Sequence, residues 1–396
     1  MRVLHAVELY RPSVGGAQEV VRQVSERLVR RGHDVTVATT ALADRDADLI
    51  EGVRIAGFDV SGNTIRGLTG DVEGYRRFVL EGDFDVMMVY AAQQWTLDAL
   101  LDVLDQVPFP VVVAPCGFSA LGDPAWDAYF ARLPEQLAAA AALVTHSETY
   151  QDARFLREHG LAATLIANGA DEREFGELAS PTDARRRLGL TADVPVLLTV
   201  GAHTGEKGHA ESIRAMRRLH GRARLLVVGN APLGRGCQPT CAVRAWTTTA
   251  VSLGRRRASV VSLDRADTLA AFSAADVFVF ASNVECSPIV LFEAAASATP
   301  FVAADVGNAA EIAAWTGGGL IAGTAHDGHG RAHVDEADLA QLVDRLLADD
   351  GRRMAMATAA RDAWSRSYTW DAVTDRYEAL YADRSASKPS TVVESE

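Results

Sequence analysis

The first forty residues confine the chain to a narrow set of folds. Residues 2–8, RVLHAVE, form a short, mostly apolar run suited to a buried strand, and GGAQEVVRQVSERLVRRGHDVTVAT follows as loop, helix, turn and second strand. Val20, Val21, Val24, Leu28 and Val29 recur on one helical face, Gly32 ends the helix, and Val35 and Val37 alternate as in a strand. Two strands joined by a crossover helix predict a parallel βαβ unit. The Gly15-Gly16 pair falls where the first strand hands over to the first helix, the usual ligand crevice of a doubly wound sheet. Glycines there can also serve only to turn the chain. No G-x-G-x-x-G is present, so the dinucleotide-binding fingerprint is absent.

The alternation continues with VMMVY after Asp85, a helix from about Trp95 to Leu104, VVVA at 111–114, and LVTH followed by Ser147 as a helix cap. TLIANGADEREF closes the first half, with Asn168-Gly169 as a tight turn. Residues 173–193 are polar and turn-rich, the composition of an interdomain linker. The same pattern restarts at VPVLLTVG, residues 194–201, and again at RLLVVG, residues 224–229. A chain of 396 residues is long enough for two cores, since single cores stop growing near roughly 250–300 residues. The expected fold class is therefore α/β, with doubly wound domains at 1–172 and 194–366. YTWDAVTDRYEALYAD supplies a last helix at 367–383, and 384–396 lacks the apolar content to fold. Residues 230–258, with Pro232, Gly234, Gly236, two cysteines and consecutive arginines, break the pattern and read as an insertion of undetermined structure.

A formal charge of −13 argues against nucleic acid as a partner, which would need a net basic face. No stretch approaches 18 apolar residues, and Met1-Arg2 leads directly into a strand, so a cytoplasmic location is expected. Four cysteines, Cys116, Cys237, Cys241 and Cys286, are too few and scattered for a disulfide framework. Cys237 and Cys241 form C-x3-C, which could seed a metal site, but no neighbouring His or Cys pair completes four ligands and free thiols are expected. Asp83-Phe84-Asp85 spells D-x-D, a divalent-cation motif in other transferases; here it precedes a strand, opposite the crevice end, and reads as loop acids.

Chemistry concentrates in ECSPIVLFE, Glu285 to Glu293. The strand DVFVFAS runs into it, and Ser287-Pro288 offers an N-cap followed by a first helical residue. The amides of Ile289 and Val290 would then point outward at the positive end of the helix dipole, where phosphate oxygens bind. Glu293 lies five residues past Pro288, about 7.5 Å along the helix axis. One carboxylate at the entrance and one deeper suit the two ends of a sugar nucleotide, since carboxylates accept hydrogen bonds from sugar and ribose hydroxyls. Lys207, at the start of a helix where the dipole repels a cation, points to an anion in the same place.

GGAQEVVRQVSERLVRRGHDVTV, ANGADEREF, VGAHTGEKGH, DVFVFASNVECSPIVLFEAAASATPFVAADVGNAAEI and YTWDAVTDRYEALY agree in order and spacing with one family. The chain resembles the retaining glycosyltransferases of family 4, whose GT-B fold is two Rossmann-like domains facing across a cleft. The resemblance implies a hexosyl donor, a nucleotide diphosphate sugar, bound mainly by the C-terminal domain, and an acceptor bound mainly by the N-terminal one. It places Glu285 near the donor sugar hydroxyls, Glu293 on the nucleotide ribose, Lys207 on the departing diphosphate and Gly16 in the loop approaching donor phosphate and acceptor. Gly201, His203, Ser287, Ile289 and Val290 complete the donor set; Gly15 and Cys116 are acceptor-side candidates. No cofactor and no metal are expected, because cationic side chains and helix amides can stabilise the departing charge. Three positions depart from the family pattern: Ala202 stands where many members have Arg, Cys116 where a number have His, and Pro288 where Gly is usual. His203 or an arginine elsewhere would compensate for Ala202. The acceptor is expected to be a small metabolite, a lipid-linked saccharide or a polysaccharide precursor, with peripheral membrane contact an option. The rival readings are a sugar-nucleotide epimerase or hydrolase on the same fold, and an inactive subunit that binds a partner.

Overall fold

A computed structural model describes residues 1–45, 47–231, 236–328 and 330–386. The chain divides into two compact units, one of Met1–Ala167 with Trp370–Glu396 and one of Asn168–Thr369. Residues 387–396 of the tail lie outside the described residues, as do 232–235 of the segment read as an insertion.

In the first unit the strand Arg2–Ala6 lies between parallel strands Asp34–Thr40 and Val86–Tyr90. The sheet continues through Val111–Ala114, Ala142–Thr145 and Thr164–Leu165 on one side and Val53–Phe58 on the other, where the short Leu49–Ile50 adds an antiparallel edge. The helix Gly16–Arg30 buries Val20, Val21, Val24 and Leu28, as its periodicity predicts. Each such side chain taken fully from water contributes about 1.5–3 kcal/mol. Gly32, at φ +88°, turns the chain out of the helix. Asp83 and Asp85 are both ion-paired to Arg2, so the D-x-D acids are occupied in tying the start of one strand to the start of its neighbour.

The last helix, Trp370–Ala386, belongs to this first unit although it follows the second in sequence. Arg27, nearly fully buried, reaches Asp371 at 2.9 Å, and Glu378 accepts from Arg31 at 2.6 Å and pairs with His33 at 2.7 Å. Beneath them His5, fully buried on the first strand, bonds through Nδ1 to the Ser25 hydroxyl at 2.7 Å and through Nε2 to the Tyr381 hydroxyl at 3.1 Å. One imidazole thus joins the strand, the first helix and the last one.

The second unit holds six parallel strands in the order Arg256–Val261, Ala223–Val228, Val196–Val200, Val277–Phe280, Phe301–Ala304 and Gly319–Ala322. In chain order this is 3-2-1-4-5-6, the Rossmann arrangement. Residues 173–193 form no separate linker. They carry the short helix Pro181–Arg187, capped by Ser180, and Arg185 binds Asp276 at 2.7 Å and the Ala274 carbonyl at 3.1 Å within this unit. Within 230–258, whose structure the sequence left undetermined, the helix Gln238–Val251 is the crossover that leads into the edge strand Arg256–Val261. Near the end of the unit, Trp364 donates to the Ala170 carbonyl at 3.1 Å, and the Tyr368 ring stacks on Trp315.

Burial pushes the pKa of His5 down to about 3, so the folded chain keeps it neutral where the unfolded chain, near pH 6.5, begins to protonate. The folded state binds fewer protons, so stability is full above about pH 6.5 and falls as pH drops toward 3. His5→Gln should therefore lose less unfolding free energy than the parent between pH 7 and 5.5, by about 1 kcal/mol in urea titrations. Equal losses in the two proteins would contradict this role.

Candidate active site

In the second unit the winding reverses beside Val196–Val200: the chain moves outward to one side through two strands, then returns to lay Val277–Phe280 on the other. No crossover covers the carboxyl ends of these two central strands, and a ligand crevice opens there in folds of this kind. The loops that leave these ends, 201–208 and 281–288, carry Gly201, His203, Lys207, Glu285 and Ser287; Ile289, Val290 and Glu293 follow on the helix Ile289–Ala296, and Gly16, also expected on the donor side, lies in the first unit.

Lys207 and Glu285 meet across the reversal, Nζ to Oε1 at 2.7 Å, and the same carboxylate oxygen accepts from the Ser282 hydroxyl at 2.8 Å. The lysine is about one-third exposed and the glutamate one-eighth, at 32% and 12% of their side chains, so the pair borders solvent. Lys207 sits one residue ahead of the helix His209–Met216, behind the N-cap Gly208. The anion that its position implies is Glu285 itself. The stem of Lys207 lies over Gly201, whose missing side chain leaves the room. The two loops are fastened to each other by the Glu206 carbonyl, which accepts from the Asn283 amide at 2.8 Å and the Ser282 hydroxyl at 3.0 Å.

The entry to the helix Ile289–Ala296 differs by one residue from the sequence expectation. Pro288, not Ser287, is the N-cap, and its carbonyl accepts from the Leu291 amide at 3.1 Å. The amides of Ile289 and Val290 precede that first bond, so they remain at the helix mouth. Among the described residues the Ser287 hydroxyl caps nothing and is buried with no hydrogen-bond partner, while its carbonyl accepts from Asn168 Nδ2 at 3.1 Å.

Glu293 is the one charged residue on an otherwise apolar, buried helix and is itself only 7% exposed. A carboxylate so placed needs a cation. Arg265 supplies it at 2.6 Å, holds Glu174 with the same guanidinium, and lies 5.5 Å over the Phe175 ring. Burial opposes the charge on Arg265, but the carboxylates of Glu293 and Glu174 outweigh it and raise its pKa. Sequence reasoning missed Arg265; the only local signal is its place just after Asp264, which caps the helix Arg265–Ala274.

His203 is not presented as a replacement for the arginine absent at Ala202. Its ring is fully buried, with Nδ1 3.4 Å from the Cys237 sulfur, and burial lowers its pKa. The arginine that does stand at this loop is Arg331, 3.2 Å from Glu206. His209 donates from Nε2 to the Gly201 carbonyl at 3.0 Å, and burial pushes its pKa down to about 4, so it is a neutral brace for the loop.

The acceptor-side candidates belong to the first unit. Gly15 is the extended N-cap of the helix Gly16–Arg30, and open space surrounds the Cβ position of Gly16. Cys116 stands just past the strand Val111–Ala114 with φ +57°, followed by Phe118 at +51°; Ala91 and Gln93, past the neighbouring strand, are at +73° and +63°. Non-glycine residues in this region cost roughly 1–3 kcal/mol and cluster at functional sites. Behind them the Cys116 thiol contacts the Tyr90 hydroxyl at 3.7 Å, which pairs with His146 Nε2 at 2.9 Å.

Two family models match the chain. Residues 194–349 match glycosyl transferases group 1, and residues 15–169 match the glycosyl transferase 4-like domain. The chain belongs to the family 4 glycosyltransferases of GT-B fold, and it is a hexosyltransferase that draws on a nucleotide diphosphate sugar. It is 27% identical to a D-inositol 3-phosphate glycosyltransferase of Xylanimonas cellulosilytica, across 98% of this chain and 97% of that one. An alpha-maltose-1-phosphate synthase of Mycolicibacterium smegmatis is 30% identical over 56% of this chain and 57% of its own. Among solved structures, sucrose-phosphate synthase from Thermosynechococcus elongatus superposes with a TM-score of 0.77 at 21% identity, over 98% of this chain and 100% of the other. Anabaena HepE in complex with UDP gives 0.74 at 18%, over 97% and 100%. No helix among the described residues is long and apolar enough to cross a membrane.

Gly208 has φ +64°, and a Cβ there would collide with the Ala281 carbonyl. Gly208→Ala should cost about 1–3 kcal/mol in urea unfolding and, by shifting Lys207, weaken nucleotide diphosphate binding at least fivefold in calorimetry. Unchanged affinity would show that the position of Lys207 does not depend on this turn.

Proposed function

We propose that the enzyme transfers its hexosyl unit with retention of anomeric configuration and without a metal in the reaction, to a hydroxyl of a small polyhydroxylated acceptor. The observation that carries this reading is the Lys207–Glu285 contact at the carboxyl ends of the two central strands. With the diphosphate beside the amides of Ile289 and Val290, Lys207 would exchange part of its attraction to Glu285 for the departing phosphate charge, and Glu285 would turn toward the donor sugar hydroxyls. Charge that develops on the leaving group then meets donors already in place, the arrangement that stabilises a transition state more than a ground state. The diphosphate departs from the face the acceptor attacks, and its oxygen takes the acceptor proton. Glu293 would receive the ribose hydroxyls beside its ion pair with Arg265. Gly15, Gly16 and Cys116, all in the first unit, would be the acceptor-side residues. The similarity to a D-inositol 3-phosphate glycosyltransferase and an alpha-maltose-1-phosphate synthase favours a small phosphorylated polyol or sugar as acceptor.

Lys207→Ala and Glu285→Ala should each lower kcat/KM about 100-fold or more, close to 2.7 kcal/mol of lost transition-state stabilisation, with folding intact by circular dichroism. Asp83→Ala, which removes an exposed acid of the D-x-D stretch, should leave the rate within about twofold, as should added Mg2+ or Mn2+. The donor base comes from thermal shift against a panel of nucleotide diphosphates, and the anomer of the first product from NMR. A product of inverted configuration, or losses under tenfold in both alanine variants, would overturn the mechanism.

A further inference from the structure

The crossover helix Gln238–Val251 begins against the same loop that carries Lys207. Cys237 is its N-cap and Cys241 lies one turn on, so the C-x3-C spacing puts both sulfurs on one face. The Cys237 amide donates to the His203 carbonyl at 3.0 Å, and the His203 amide donates to the Asn230 carbonyl at 3.0 Å. Gly236 makes this approach possible, because a Cβ there would collide with the His203 carbonyl. The result is a cluster in which one ligand atom from each of His203, Cys237 and Cys241 lies within 4.8 Å of the others. His203 and Cys241 are buried and Cys237 is half-buried.

Two features distinguish this cluster from ordinary buried thiols. The His203 ring makes no hydrogen bond to oxygen or nitrogen among the described residues: Nδ1 faces the Cys237 sulfur at 3.4 Å, and the buried Nε2 has no partner. A fully buried imidazole nearly always finds a stronger partner than a thiol. The second feature is geometric. Zinc bonds of about 2.3 Å to sulfur and about 2.05 Å to nitrogen, at the tetrahedral angle, place the two ligand atoms about 3.6 Å apart. The observed 3.4 Å is already that edge, in a backbone held by its own hydrogen bonds.

We propose that His203, Cys237 and Cys241 bind a thiophilic divalent cation, Zn2+ by the chemistry of the donor set, with solvent in the fourth position. The ion clamps the loop 201–208 to the first turn of the helix Gln238–Val251. Its role is structural: neither Lys207 nor Glu285 is among its ligands, and the transfer reaction does not pass through it. Binding converts two thiols to thiolates and releases their protons to solvent.

The test uses the full chain without a polyhistidine tag, expressed with added zinc and dialysed briefly against a weak chelator. Mass spectrometric metal analysis should find about one Zn2+ per chain in the parent and below about 0.1 in Cys237→Ser and Cys241→Ser. Because either serine could disturb helix packing, Co2+ titration of the unaltered apoprotein provides a second reading. Intense tetrahedral d–d bands with thiolate-to-cobalt charge transfer support the site. A parent chain without zinc, the weak spectrum of hydrated Co2+, or a Cys237–Cys241 disulfide found by peptide mapping would each overturn it.

Discussion

Lys207 and Glu285 are 78 residues apart in the chain and 2.7 Å apart in the fold. The reversal of winding beside Val196–Val200 is what closes that gap. Every other strand end in the second sheet has neighbours on both sides reached by crossovers of one sense, or lies at an edge. Only between Val196–Val200 and Val277–Phe280 do two loops leave adjacent strand ends and diverge, so that a cation from one and an anion from the other stand beside open space. As a source of stability the pair is minor, since partly exposed ion pairs contribute about 0–1 kcal/mol. Its significance is placement. A lysine ahead of one helix and an acid ahead of another are brought into contact at adjacent strand ends, the arrangement on which the proposed donor site rests.

The surrounding structure holds that placement fixed. The Glu206 carbonyl joins the two loops, His209 braces Gly201, and Asn283 exchanges hydrogen bonds with Ala332, with its side-chain amide at 2.7 Å and its carbonyl at 2.8 Å. These bonds use backbone groups that would otherwise be left unpaired at strand ends, so the same contacts satisfy the fold and orient the site. Glu293 shows the converse pressure. An acid on a helix that is otherwise core must be neutralised, and Arg265 does so while reaching Glu174 as well. Glu293 is therefore held in an ion pair by an arginine 28 residues away in the chain.

The first unit is also a mainly parallel sheet with crossovers, and it gathers left-handed non-glycine residues past two of its strand ends. Left-handed residues at Ala91, Gln93, Cys116 and Phe118 sit past the ends of two neighbouring strands, over a compact core in which Tyr75 and Trp95 meet edge to face at 4.9 Å. A well-packed scaffold can hold loops in costly conformations, which a flexible one would relax. The last helix secures that scaffold by bonding to the first helix and, through His5, to the central strand.

The sequence by itself determined the class of fold, because strands and helices differ in period and their strict alternation leaves little but parallel sheets with crossovers. It also singled out Lys207, Glu285 and Glu293 as candidates, because a strand-to-helix break with charge at set distances from it is a local pattern; the structure puts Lys207 and Glu285 in contact and Glu293 on the following helix. Tertiary structure decided what depends on neighbours distant in sequence. Residues 256–261 open with arginines yet form a strand, since an edge position leaves charged side chains in solvent. Residues 173–193 look like a linker because their helix is short and polar, and contacts such as those of Arg185 with Asp276 and Arg187 with Asp267 reveal where they pack. Arg265 has no fixed spacing to Glu293, and His203 none to Cys237, so neither partnership is written in any motif. Each arises where separate strand ends converge, and convergence is a property of the sheet order, which no local stretch of residues encodes.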